Sequence, residues 1–117
     1  ADIYRQVEKL EEVEESIVVG QSWNYDVRII LFVVLKDGLI LDKQLKLSIR
    51  NVIRKNTTPR HVPEKIIQIK EIPRTRSGKL VELSVRSVIH GEEVKNKEAL
   101  ANPESLENFR DLLELQS

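Results

Sequence analysis

The chain has 117 residues, of which 40% are apolar and 32% are charged. This length suits one small domain with one hydrophobic core, and the apolar content excludes a disordered chain. Its 19 Lys and Arg residues balance 19 Asp and Glu residues, so no overall charge would attract nucleic acid or a membrane, and any basic site has to be local. The absence of cysteine excludes disulfides and thiol catalysis.

The longest apolar run, residues 29–35, is too short to span a bilayer, and no signal peptide is visible. We therefore expect a cytoplasmic protein. The sequence contains no methionine, and Ala1–Tyr4 already begins a helical pattern. This predicts a domain cut from a longer protein, whose missing part holds most of the active site.

Apolar residues at helical spacing begin the chain and predict an amphipathic helix. The buried residues of that helix are expected to be Ile3, Val7 and Leu10. A short strand within Ser16–Gln21 follows, and Gly20–Asp26 is predicted to form a polar turn that holds Trp23 and Tyr25. Residues 27–35 are almost uniformly apolar, which predicts a central strand covered on both faces.

Asp42 is predicted to cap a second helix, which ends at Thr57–Pro59. The buried residues of this helix are expected to be Leu45, Ile49, Val52 and Ile53. Arg50 and Arg54 lie one turn apart on its exposed side. Residues 60–63 are predicted to form an extended connector.

Residues 64–72, which are rich in isoleucine, predict a third strand that leads into the loop Pro73–Lys79. A third helix follows and ends at Gly91, with Val81, Val85, Val88 and Ile89 on its buried side. After a polar connector at Lys95–Ala101, the Asn-Pro-Glu sequence from Asn102 is typical of a helix start. The buried residues of this last helix are expected to be Leu106, Phe109, Leu112 and Leu113.

These elements predict an α+β fold, in which a small sheet of about three strands packs against helices. The first two strands are expected to form a hairpin. The third strand enters after a helix, so the sequence leaves its direction open.

The loop Pro73–Lys79 contains three cations, two hydroxyls and one glycine in seven residues. A flexible turn of this kind can present a mobile ammonium group to a phosphate or a carboxylate. It is not a P-loop, because Pro73 stands where the first glycine should be and Leu80 replaces the metal-binding Ser or Thr. The alternative is a solvated lysine in an ordinary surface turn. Composition alone favours the solvated lysine, whereas the glycine before the lysine, the two nearby arginines and the helix N-terminus that follows support an anion site, and the residues by themselves leave both open.

Other candidate residues have ordinary explanations. His61 and His90 are far apart in the sequence and lack companion ligands, so a metal site is not expected. Trp23 is predicted to anchor its turn, with the rim of an interface as the alternative. Ser77 has no nearby base in the sequence and is a weak candidate nucleophile. Arg54, taken alone, is ambiguous, because a cation on the helix surface interacts favourably with the helix C-terminus and needs no ligand there.

The order of strand, Pro73–Lys79 and helix resembles the C-terminal domain of the adenylate-forming acyl-CoA synthetases, and the resemblance covers essentially the whole chain. Within that family, Thr58–Pro63, Val94–Asn96 and Glu98–Leu106 resemble the acetoacetyl-CoA synthetases rather than the acetyl-CoA synthetases. The fold that the resemblance implies is a single mobile lid domain, residues 1–117, which follows a large N-terminal domain.

The resemblance implies an acid–thiol ligase that joins acetoacetate to coenzyme A through an acyl-adenylate and releases AMP and pyrophosphate. Lys79 would be the catalytic residue of adenylation, presented by Arg76, Ser77 and Gly78. Arg54 would contact the nucleotide phosphate of coenzyme A. ATP and coenzyme A would be substrates, with Mg²⁺ held mainly by the N-terminal domain. The N-terminal domain would be the partner of this chain, and no nucleic acid or membrane partner is implied. The isolated chain is expected to be inactive.

Two alternatives remain open from the sequence. The same ligase chemistry could act on acetate, propionate or another short acid, because acyl specificity would reside in the N-terminal domain. The basic loop could instead belong to a non-catalytic module that binds a phosphorylated ligand or a protein partner.

Overall fold

The computed structural model of the chain describes residues 2–77, 81–95 and 97–117. Within these residues the α-helices are α1 (Asp2–Val7), α2 (Lys43–Asn56) and α3 (Glu82–Ile89), and the strands are β1 (Val13–Trp23), β2 (Asp26–Leu35) and β3 (Lys65–Gln68). Short 3₁₀ turns cover Pro59–His61, Lys97–Ala99, Pro103–Phe109 and Leu113–Gln116. None of the helices in these ranges combines the length and hydrophobicity that a bilayer crossing requires.

Strand β2 is the centre of a sheet in which the strands are ordered β1, β2, β3. β1 pairs with β2 in antiparallel orientation, which confirms the predicted hairpin, whereas β3 pairs with β2 in parallel. A parallel neighbour cannot be reached through a tight turn, and the chain makes the required crossover through α2. The direction of the third strand, which the sequence left open, is therefore parallel.

The side chains of β2 alternate between two hydrophobic clusters. The even-numbered residues from Ile30 to Val34 pack with α3 and with the tail, residues 97–117, on what we call the α3 face. The odd-numbered residues from Leu31 to Leu35 pack with α1 and α2 on what we call the α2 face. Because helices or the tail cover both faces of the sheet, every position of this strand except its first few residues is apolar and buried. The predicted central strand and the α+β class are confirmed.

β1 is longer than the predicted strand, and the hairpin turn is shorter. Its pairing with β2 extends from Val13 to Trp23, beyond both ends of the predicted segment, through glutamates at its start and into the predicted turn at its end. The turn consists of Asn24 and Tyr25, which have φ angles of 49° and 64°. Two-residue hairpin loops favour positive φ because this twist matches that of the flanking strands. The length of β1 is set by its hydrogen bonds to β2, which the hydrophobic pattern of the sequence does not reveal.

Helix α2 begins and ends as predicted. The Asp42 carboxylate accepts a hydrogen bond of 2.8 Å from the backbone N–H of Leu45, and the Thr57 hydroxyl donates one of 2.6 Å to the carbonyl of Ile53. Helix α3 also stops as predicted, before Gly91 at φ 71°. These boundaries were predictable because cap residues act on their own helix.

The connector after α2 is not extended as predicted, because Pro59–His61 forms a 3₁₀ turn. β3 is shorter than the predicted strand and covers only Lys65–Gln68. One further backbone hydrogen bond of 2.9 Å, from Ile69 to Val33, continues its pairing with β2. Beyond that residue, the chain remains buried at Ile72 without pairing to β2.

The tail differs most from the prediction. Pro103–Phe109 is a 3₁₀ stretch and not an α-helix. Leu113, predicted to be buried, is 77% exposed, whereas Leu115 is 5% exposed. The carbonyl of Leu115 accepts hydrogen bonds of 3.0 Å from Gln21 and 3.1 Å from Arg28, both on the hairpin. Because a 3₁₀ helix has three residues per turn, a period of 3.6 assigns its buried side incorrectly.

Candidate active site

The candidate loop runs from the core to the surface. Ile72 and Pro73 are buried, Arg74 is half-buried, and Arg76 and Ser77 are exposed. Gly78 and Lys79, which the sequence analysis placed at the end of this loop, lie outside the described residues. The described part of the loop therefore delivers the chain to solvent directly before the predicted catalytic lysine.

The described part of the loop is held to the tail by hydrogen bonds up to Arg76. Thr75 and Leu100 form an isolated antiparallel bridge. The carbonyl of Arg74 accepts a hydrogen bond of 2.8 Å from Ala101, and the N–H of Arg76 donates one of 3.3 Å to the carbonyl of Ala99. Residues 74–76 are thus hydrogen-bonded to residues 99–101 of the tail.

Asn102 adds two hydrogen bonds to this pairing. Its side-chain oxygen accepts from the backbone N–H of Arg74 at 2.9 Å, and its side-chain nitrogen donates to the carbonyl of Ile72 at 3.0 Å. The predicted role of Asn102 as a helix cap is wrong, because its side chain makes no capping hydrogen bond to the 3₁₀ stretch that follows. The Asn-Pro-Glu sequence resembles a helix start, and nothing in the local sequence shows that the amide serves the loop instead.

The side chains of the loop differ in their surroundings. Arg74 forms an ion pair with Glu15 of β1, so this guanidinium has a partner within the fold. The hydroxyls of Thr75 and Ser77 share a hydrogen bond of 3.0 Å. Arg76 is exposed and remains accessible to an anionic ligand.

The chain on the far side of the undescribed residues is also anchored. Glu82, the first residue of α3, accepts a hydrogen bond of 2.5 Å from the hydroxyl of Tyr4 in α1. That hydroxyl in turn accepts one of 2.8 Å from the backbone N–H of Val18 in β1. Burial, with a further contribution from the Glu82 carboxylate, raises the pKa of Tyr4 above its ordinary value. Sequence analysis missed this link, because Tyr4 and Glu82 are separated by 78 positions.

Arg54 is not part of this cluster. It is exposed on the last turn of α2, and α2 packs against the α2 face of the sheet. Ile72, at the start of the loop, belongs to the cluster on the α3 face. The two predicted cationic sites therefore lie on elements that flank opposite faces of one sheet.

Two other candidate residues, His90 and Trp23, have structural roles. The Nε2 atom of His90 accepts a hydrogen bond of 2.9 Å from the N–H of Ser22, and its Nδ1 lies 2.6 Å from the carbonyl of Arg86, so this histidine joins α3 to β1. The guanidinium of Arg28 lies 4.1 Å from the ring centroid of Trp23, at the end of β1. Trp23 thus anchors the hairpin, as predicted. Among the described residues, no group of three or more His, Asp and Glu side chains is arranged to hold a metal ion.

Comparison with known proteins gives the family. Residues 6–79 match the model of the AMP-binding enzyme C-terminal domain. The chain is 56% identical to an acetoacetyl-coenzyme A synthetase from Rhizobium meliloti over 117 residues, which are 100% of this chain and 18% of that protein. The chain therefore spans about one fifth of the length of this relative.

Two solved structures show the same fold. An acetoacetyl-CoA synthetase from Streptomyces lividans matches with a TM-score of 0.87 and 36% identity, over 100% of this chain and 18% of that one. An acyl-CoA synthetase from Brucella canis matches with a TM-score of 0.62 and 26% identity, over 68% of this chain and 15% of that one. The family resemblance inferred from the loop is thereby confirmed, and the chain belongs to the AMP-binding enzyme C-terminal domain family.

Proposed function

We propose that this chain is the mobile C-terminal domain of an acetoacetate–CoA ligase, which forms acetoacetyl-CoA from acetoacetate, ATP and coenzyme A and releases AMP and pyrophosphate. The observation that carries this proposal is the match to the Streptomyces lividans synthetase over the whole chain, tail included. The Brucella canis acyl-CoA synthetase covers only 68% of the chain. The absence of cysteine agrees with the reducing cytoplasm as the proposed location.

In the proposed first half-reaction, the acetoacetate carboxylate attacks the α-phosphate of ATP and expels pyrophosphate. Negative charge grows on the transferring phosphoryl group, and the ammonium of Lys79 neutralises it. The loop supports this role, because it is paired with the tail up to Arg76 and emerges into solvent at Ser77. Arg76, Ser77 and Gly78 present the lysine. We assign Mg²⁺ to the N-terminal domain together with ATP, since the described residues offer no metal cluster.

In the proposed second half-reaction, the thiol of coenzyme A attacks the acyl-adenylate and releases AMP. Arg54 binds the nucleotide phosphate of coenzyme A, a role that suits the forked guanidinium. Its position on α2 supports this assignment, because α2 and the loop flank opposite faces of the sheet. A rotation of the whole domain would replace Lys79 by Arg54 at the active site of the N-terminal domain.

The test is the substitution Lys79→Ala in the intact enzyme that carries this chain, with each half-reaction measured separately. Acetoacetate-dependent exchange between ATP and pyrophosphate should fall roughly a hundredfold or more, the scale for loss of one preorganised donor to a transition state. Thioester formation from preformed adenylate should change much less. Lys70→Ala is the matched control, since Lys70 is an exposed lysine that precedes the loop. Equal losses in both half-reactions, or no loss in the first, would contradict the role of Lys79.

The identity of the acid needs its own measurement. The intact enzyme should show a higher kcat/KM for acetoacetate than for acetate or propionate. A higher kcat/KM for acetate or propionate would agree with the ligase function and change the assigned substrate. An intact protein that forms no acyl-adenylate with any short acid would overturn the ligase function.

A further inference from the structure

Asn102 forms hydrogen bonds to the loop on both sides of Pro73. Pro73 has no N–H, so this residue cannot donate a hydrogen bond. The side-chain amide of Asn102 binds the two residues that flank the proline, accepting from Arg74 at 2.9 Å and donating to Ile72 at 3.0 Å. With the bonds from Ala99 and Ala101, residues 99–102 form what we call the tail clamp on residues 72–76.

The tail clamp is itself fixed to the core. Leu100 is buried in the same cluster as Ile72 on the α3 face. The Ser105 hydroxyl, which is buried, donates a hydrogen bond of 2.7 Å to the carbonyl of Asn102, and the Ser105 N–H donates one of 3.0 Å to the same carbonyl. Leu106, next in the chain, is also buried in that cluster. The backbone of Asn102 is therefore fixed to the core through Ser105 and its buried neighbours. Its side-chain amide can in turn hold the loop in a fixed position.

The clamp limits the position of the predicted catalytic lysine through covalent geometry alone. Arg76 is bound to Ala99, and three peptide units separate Arg76 from Lys79. Since neighbouring Cα atoms are about 3.8 Å apart, the Cα of Lys79 lies within about 11 Å of that of Arg76. Without the clamp, the nearest upstream anchor of the backbone would be Ile72, which is buried in the core seven residues before the lysine. The possible span from that anchor to Lys79 would then increase to about 23–25 Å.

We propose that Asn102 is a positioning residue for adenylation, which acts through the loop and does not touch the substrate. This inference rests on the proposed role of Lys79. The family match ends at Lys79, so residues 99–102 lie outside the matched part of the chain. The Streptomyces lividans synthetase matches the chain through these residues, so the clamp would serve to place the lysine more narrowly in acetoacetyl-CoA synthetases of this kind.

The test uses the intact enzyme with Asn102→Leu, which keeps the approximate size of the side chain and removes both hydrogen bonds. Misplacing a catalytic group by about 1 Å can cost a hundredfold in rate, so we expect adenylation to slow by about ten- to a hundredfold. Thioester formation from preformed adenylate should stay within about threefold of the original rate. Asn102→Asp retains the acceptor for Arg74 and loses the donor to Ile72. Its adenylation rate should therefore lie between those of the unsubstituted enzyme and Asn102→Leu.

Gln21→Leu is the matched control for loss of tail packing. Gln21 is buried and holds Leu115, at the other end of the tail, through a hydrogen bond of 3.0 Å. This variant loses an attachment of the tail without touching the clamp, so both half-reactions should retain their rates. Hydrogen exchange of the peptide that covers residues 72–77 should become faster in Asn102→Leu and remain unchanged in Gln21→Leu, which tests the clamp without reference to catalysis.

The outcomes separate the inference from the proposed function. If Lys79→Ala slows adenylation while Asn102→Leu leaves adenylation and the exchange of residues 72–77 unchanged, the clamp is refuted and the function stands. If Gln21→Leu causes the same selective loss, tail packing and not the clamp positions the loop. If Lys79→Ala leaves adenylation unchanged, the proposed role of Lys79 fails and the inference fails with it, whereas the ligase function is overturned only if the intact protein forms no acyl-adenylate. Should Asn102→Leu not fold, Asn102→Asp decides through the same two measurements.

Discussion

Replacing Tyr4 with phenylalanine tests the link that joins α1, β1 and the start of α3. The substitution keeps the ring and removes two hydrogen bonds, one of 2.5 Å to the Glu82 carboxylate and one of 2.8 Å from the Val18 N–H. A hydrogen bond to a charged group contributes about 1.5–3 kcal/mol and a neutral one about 1 kcal/mol. Tyr4 is only half-buried, so water can replace part of this interaction. We therefore expect Tyr4→Phe to lower the free energy of unfolding by about 2 kcal/mol.

For a chain of this size, a loss of about 2 kcal/mol corresponds to a decrease in Tm of roughly 6–12 °C. Thermal unfolding followed by circular dichroism at neutral pH measures it. Tyr25→Phe is the matched control, because Tyr25 is fully exposed in the hairpin turn, and its Tm should change by no more than about 2 °C. Equal Tm values for Tyr4→Phe and the unsubstituted chain would show that this link contributes nothing to stability.

The same residue predicts how stability depends on pH. Burial and the Glu82 carboxylate raise the pKa of Tyr4 in the folded chain, whereas an unfolded tyrosine ionises near pH 10. The stability from this group is therefore complete below about pH 10 and decreases as the pH rises towards the folded-state pKa, by up to about 1.4 kcal/mol per pH unit. The difference in Tm between the chain and Tyr4→Phe should shrink above pH 10. A difference that grows at alkaline pH would contradict the direction of the shift.

Two further predictions concern the core and the second cationic site. Phe109→Ala removes a completely buried ring whose centroid lies 4.8 Å from that of Phe32, in an edge-on contact. Denaturant unfolding should show a loss of about 3–5 kcal/mol in the free energy of unfolding. Leu113→Ala, at an exposed position, should lower it by less than about 0.5 kcal/mol. Arg54→Ala should raise the KM for coenzyme A about tenfold or more in the intact enzyme and leave ATP–pyrophosphate exchange unchanged, since a charge-assisted hydrogen bond contributes about 1.5–3 kcal/mol. Lys55→Ala, the adjacent exposed cation, should change neither rate, and a loss of exchange in Arg54→Ala would contradict the assignment.

The parts of the fold that the sequence predicted are those fixed by local chemistry. β2 was predictable because burial on both faces requires a continuous apolar run, and α2 was predictable because Asp42 caps it directly. The extent of β1 was not, because polar residues enter that strand through pairing with β2. The tail was assigned the wrong helix type, since its conformation follows from its attachment to Gln21 and Arg28, far away in the sequence.

The candidate site divides in the same way. The loop Pro73–Lys79 could be found from the sequence because its cations, hydroxyls and glycine are adjacent. The residues that hold it could not, since Asn102 and Tyr4 act on partners 28 to 78 positions away. Each residue also has a plausible local role in the sequence, Asn102 as a helix cap and Tyr4 as part of an amphipathic helix. These local roles gave no reason to expect a distant partner.

The sheet explains why the proposed reaction needs the whole domain to turn. Arg54 and the loop flank opposite faces of a sheet that is packed on both sides, in a domain with a smallest dimension of 24 Å. A close-packed interior resists local rearrangement, so we expect the two proposed sites to reach the N-terminal domain in turn. In the proposed reaction, rotation of the domain as a rigid body would exchange the two cations without breaking the core. The tail clamp fits this scheme, because a lysine carried on a loosely held loop would not return to the same position after each turnover.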